Sequence, residues 1–119
     1  MEFKELRFER AMTCDGGNIF LRNETGRYEV LVTVQGDDSG DYLDHPFEFR
    51  TDDLELAHEV YRLIITNADE AADKCRMAFG FSHEQMEREG IWFQLFLVDH
   101  ELDGIEQDIE DYWLSYDVL

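Results

Sequence analysis

With 119 residues, 44% of them hydrophobic and 13% aromatic, the chain is long enough for one domain with a real core and too short for two. Disordered acidic tails are poor in aromatics, so nine Phe, five Tyr and two Trp exclude disorder as the origin of the acidity. A net charge of −19, from 29 acids against 10 bases, excludes direct binding to bare nucleic acid or anionic lipid and favours cationic partners.

The start, Met1-Glu2-Phe3-Lys4-Glu5, is no signal peptide, and no apolar run reaches membrane-spanning length, so a cytoplasmic location is expected. Residues 3–12 alternate, with Leu6, Phe8 and Met12 on one face and Glu5, Arg7 and Glu9 on the other, which predicts a half-buried strand. Asp15-Gly16-Gly17-Asn18 predicts a tight turn, because glycine tolerates the positive φ that such reversals use. A second strand is predicted over 19–22, a turn at Asn23-Glu24-Thr25-Gly26, and a third strand over 27–35 with Tyr28, Val30, Val32 and Val34 on one face. Three strands joined by short turns read as an antiparallel meander.

After an Asp- and Gly-rich loop, Pro46 leads into a short fourth strand over 47–50, where proline fits the first position. The longest helical pattern follows, over 51–79. Its apolar stripe runs Leu54, Ala57, Tyr61, Ile64, Ile65, Ala68, Ala71, Ala72, Cys75, Ala78 and Phe79, interrupted only by His58. Thr51 reads as its cap, with Asp52 and Asp53 in the first turn. At 1.5 Å per residue an unbroken helix of this length spans roughly 42 Å, so a bend near Thr66-Asn67 or a projecting arm is expected. The Ala-rich second half suits close packing, within the chain or in a homodimer.

Gly80 ends that helix; Ser82 and Gln85 form a capping pattern for a short helix that Gly90 closes. Residues 91–98 are a nearly continuous apolar run, the pattern of a central strand. From Ile105 the spacing of Ile109, Tyr112, Trp113 and Tyr116 predicts a C-terminal helix. The order gives an α+β fold in a single domain over 1–119: an antiparallel sheet of about four to five strands with one long helix and shorter C-terminal helices on one face.

The charge is unevenly spread. Residues 37–59 carry nine acids and one base, and residues 99–119 carry eight acids and no base, so two segments hold −16 of the −19. The candidate partner-binding residues are Asp99, Glu101, Asp103, Glu106, Asp108, Glu110 and Asp111, with Asp37, Asp38, Asp41 and Asp44 as a second patch. On a helix, Glu106 and Glu110 would stand about 5–6 Å apart, close to the spacing of phosphates along one DNA strand. Such a surface can occupy the basic groove of a nucleic-acid-binding protein. In composition, though in no motif, the chain resembles the small acidic proteins that phages and plasmids use against host nucleases and CRISPR effectors. That resemblance implies a non-enzymatic, nucleic-acid-mimicking inhibitor. The competing reading is an accessory interaction domain whose acidity serves solubility alone.

Residues 99–110 also fit part of a twelve-residue calcium loop, with Asp99, Glu101, Asp103, Gly104 and Glu110 at positions 1, 3, 5, 6 and 12. Glu at position 3, Glu106 where an apolar residue belongs, and a strand-like entering segment count against it, so neither metal nor cofactor is expected. Cys14 and Cys75 have no CxxC spacing, and neither is tied to His45, His58, His83 or His100 as a catalytic pair. His83-Glu84-Gln85-Met86-Glu87 lacks the second histidine of a zinc-protease motif.

Overall fold

The computed structural model describes residues 1–9, 12–15, 18–21, 26–36, 45–102 and 108–114, with the backbone alone for 12–15 and 18–21. Val30, Val32 and Val34 alternate along a strand and are fully buried, so that strand is held in the middle of a sheet by its own side chains. This is β3 (Tyr28–Gly36), preceded by β1 (Met12–Asp15) and β2 (Asn18–Leu21) and followed by β4 (Phe47–Thr51), β5 (Ile91–Asp99) and β6 (Asp108–Leu114). The four-stranded antiparallel sheet has the order β4-β3-β5-β6. In register, Val30, Val32 and Val34 face Leu97, Leu95 and Phe93, and these six side chains form the centre of the sheet's half of the core, with Phe47, Ile91 and Leu114 around them.

The helical half comes from α1 (Leu54–Thr66), α2 (Ala68–Phe79) and α3 (His83–Glu89). Ala57, Val60, Tyr61 and Ile64 of α1 and Ala71, Ala72 and Cys75 of α2 are buried against the sheet layer. The observed stripe therefore takes in Val60, one residue outside the predicted set, while Leu54 is exposed. The small side chains of α2 are consumed inside the chain itself.

Five expectations need correcting. The predicted helix over 51–79 is two helices broken at Asn67, where the bend was expected, and the Asn67 backbone (φ −116°, ψ 38°) leaves the helical region. The Asn67 side chain donates to the Leu63 carbonyl at 2.8 Å, and the Asn67 amide donates to the same carbonyl at 3.2 Å, so both donors of one residue close the last turn of α1. Capping also shifts: Asp53, not Thr51, is the α1 cap, its Oδ1 accepting from the Glu55 and Leu56 amides at 3.0 and 3.3 Å. Thr51 closes β4 instead, and its hydroxyl accepts from the Asp53 amide.

The predicted strand over 3–12 begins only at Met12. Residues Phe3–Glu5 form a 3₁₀ turn, and a spacing of three sends Phe3 and Leu6 into the core together. β1 and β2 pair with each other, Asp15 opposite Asn18, and among the described residues neither joins β3, so the three-strand meander is not formed.

The largest correction is at the C-terminal end. Where a helix was predicted from Ile105, residues 108–114 form β6 along the free side of β5. Ile109, Tyr112 and Trp113 satisfy helical spacing but are also strong strand formers, and β5, with no exposed residue along its length, needs a neighbour on each side. Long-range pairing decides the conformation. Among the described residues, no helix is long and apolar enough to cross a membrane.

Candidate functional site

Two acidic features lie at opposite ends of the segment that follows β5, and the fold treats them differently. The first is a corner where β3, β5 and the start of α1 meet. Tyr28 pairs with both Thr51 and Asp99, which brings Arg27 to the ends of both neighbouring strands. Its guanidinium donates to both carboxylate oxygens of Asp99, from Nε at 2.9 Å and Nη2 at 3.0 Å, the bidentate geometry that suits arginine. Its Nη1 lies 3.1 Å from Glu101, and its backbone amide donates to Asp52 at 2.9 Å.

Asp99 is only 5% exposed and also accepts from the Glu101 amide at 3.0 Å. The hydrogen bond from Arg27 holds its carboxyl below the ordinary aspartate value despite the opposing effect of burial, and the same bond raises the Arg27 guanidinium. Gly26 completes the corner. Its φ of +135° favours glycine, a Cβ there would stand 2.6 Å from the Thr51 nitrogen, and its carbonyl accepts from both Nε and Nη2 of Arg50.

Beside this corner, buried Glu29 lies 2.7 Å from Nε2 of His100, a carboxylate-oriented imidazole of the kind used for proton transfer. Among the described hydrogen bonds neither partner engages a Ser, Thr or Cys side chain. The pair's evident role is to pin the end of β5 to β3, together with the His100 amide, which donates to the Arg27 carbonyl at 2.8 Å.

The second feature is β6. Asp108, Glu110 and Asp111 are exposed, as are Ile109, Tyr112 and Trp113, and only Leu114 is buried. Register with β5 sorts these side chains. Glu110 and Tyr112 lie opposite Leu97 and Leu95 and point to the helical side; Asp111 and Trp113 lie opposite Phe96 and Gln94 and point to the other face. Near Asp108 the ladder shifts register between Leu97 and Val98.

On the helical side, Glu110 stands 3.6 Å from Nδ1 of His58. Nearby Tyr61 is pushed up to about 12, chiefly by burial and then by the charges of Glu110 and Asp111. On the other face, the Trp113 ring lies 5.8 Å from that of Trp92, tilted by 55°.

The predicted residues therefore separate. Asp99 and Glu101 belong to the Arg27 corner, whereas Asp108, Glu110 and Asp111 belong to the exposed edge. Asp103, Glu106, Asp37, Asp38, Asp41 and Asp44 lie outside the described residues. The helical spacing of Glu106 and Glu110 does not survive the finding that Glu110 sits on a strand. There, side chains two apart on one face stand roughly 6.6–6.8 Å from each other, and neighbours point to opposite sides.

Sequence reasoning missed Arg27. The available signal was a basic residue immediately before a strand whose far partner ends in Asp99.

Elsewhere, an open groove of about 540 Å³ runs along α1, bordered by Asp53, Glu55, Glu59 and Arg62, and no His, Cys or Ser lines it. Among the described residues, no three His, Cys, Asp or Glu side chains converge as metal ligands would. No protein-family model, curated protein or solved structure matches the chain.

Proposed function

We propose that this chain is a non-enzymatic binding protein that engages a basic nucleic-acid-binding partner through its carboxylates and thereby competes with nucleic acid. A nuclease or CRISPR effector is the partner class that its size and acidity match. The observation that carries the reading is β6: three exposed carboxylates among three exposed large apolar side chains, with the His58 ring, 3.6 Å from Glu110, as the one nitrogen-bearing side chain recorded against them among the described residues. Exposed like charges repel and lower stability, so a surface that keeps them beside exposed aromatics suits contact with a cationic surface. The acids face both sides of an edge, so charge and edge geometry support the reading in place of a single row imitating phosphates.

A second reading, an accessory domain with acidity for solubility, draws support from Asp52, Asp53 and Asp99, which all serve the fold. Calcium binding through 99–110 ranks lowest: both Asp99 oxygens accept from Arg27, and the flanking elements are strands.

The test is capture of basic proteins at low salt by the wild type and by the triple variant Asp108→Asn, Glu110→Gln, Asp111→Asn. Circular dichroism verifies that the variant folds. Under the proposal the variant loses capture, and duplex DNA releases what the wild type holds. Equal capture by both would sink it.

A further inference from the structure

We infer that β6 takes an extended arginine-rich segment of its partner as an added strand; the inference rests on the proposed function and names how that site binds. The two edges of the sheet differ. At β4 the N-terminal segment lies alongside: the Glu9 amide donates to the Pro46 carbonyl at 2.8 Å, and the Phe8 ring lies 5.0 Å from that of Phe47. At β6 the only neighbouring strand among the described residues is β5. Alternate β6 residues therefore direct N–H and C=O groups away from the sheet, which is the template for strand addition.

What the edge displays selects the occupant. On the helical side it offers Glu110 beside Tyr112, and on the other face Asp111 beside Trp113. Each face thus pairs a carboxylate with an exposed aromatic ring. Arginine meets both at once, because its planar fork binds a carboxylate bidentately and its face stacks on an aromatic. Since alternate residues of an added strand point to opposite faces, arginines on either face find such a pair.

A second copy fits poorly. Antiparallel self-pairing of β6 over its full length sets Asp111 opposite itself, and like charges directly opposite are destabilising. Two chains of −19 also repel as wholes.

The probe is a fluorescent seven-residue peptide alternating Arg and Val, compared with the same sequence N-methylated at every backbone amide and with its Lys-for-Arg version. The Arg peptide should bind by anisotropy, and methylation should weaken it by at least about tenfold through loss of the strand hydrogen bonds. The Lys peptide should bind several-fold more weakly. On binding, alternate β6 amides should gain hydrogen-exchange protection.

Equal binding of the methylated peptide, or binding without protection in β6, would overturn strand addition while leaving the charge-driven function standing. So would sedimentation showing that β6 pairs two copies of this chain. Binding of neither peptide would also overturn the inference. The function itself falls only if the triple variant captures partners as the wild type does.

Discussion

Arg27 joins three elements with one side chain and one amide, and most of what acid does to this fold should pass through it. Its partner Asp99 has a carboxyl held below the ordinary aspartate value, so the ion pair's contribution is present above that ordinary value, about 4. The contribution is lost as pH falls through the lowered folded value, because the unfolded chain takes up the proton first. Arg27→Met should therefore lower stability at neutral pH, by leaving Asp99 buried without its cation. It should also flatten the acid limb of the stability curve. Urea midpoints at pH 7 and pH 3 check this, and an unchanged acid limb would show that other carboxylates govern it. Tyr61 works at the other end of the scale. Its folded value of about 12 lies above its ordinary value of 10.0, so its contribution is complete below about pH 10 and is lost between about pH 10 and 12. Tyr61→Phe should lose less stability across that window than the wild type does.

Among the elements, those legible in the sequence were the ones whose local pattern and long-range role agree. β3 and β5 carry an alternating Val face and an apolar run, and both are central; α3 has its Ser82 cap and Gly90 stop. Where the two levels compete, local reading fails. Residues 108–114 satisfy a helical repeat through Ile109, Tyr112 and Trp113, and only the need of β5 for a second neighbour makes them a strand. The 3₁₀ turn of Phe3–Glu5 hid behind an alternation that covers a single residue of β1. The candidate site was half legible for the same reason. The acids were counted correctly, but which of them the fold consumes depended on Arg27, 72 residues from Asp99 in sequence. The α1 cap gives a quantitative check: Asp53→Ala should cost about 1 kcal/mol by removing the acceptor for two amides. Thr51→Ala, by contrast, should cost less, because its hydroxyl serves only the Asp53 amide.

At the scale of the whole molecule, we propose that a chain with 29 acids and 10 bases excludes nucleic acid from a basic partner by occupying the same surface. Charge-driven association of this kind is fast and weakens steeply as ions screen it, with a Debye length near 10 Å at 0.1 M salt. The most direct measurement follows a fluorescent duplex bound to a basic protein that the chain captures, while the chain is titrated in at about 50 mM and then at about 500 mM salt. The account predicts stoichiometric release of the duplex at low salt, a much weaker effect at high salt, and no release by the triple variant at Asp108, Glu110 and Asp111. A ternary complex that keeps the duplex bound, or release that is indifferent to those three carboxylates, would contradict it.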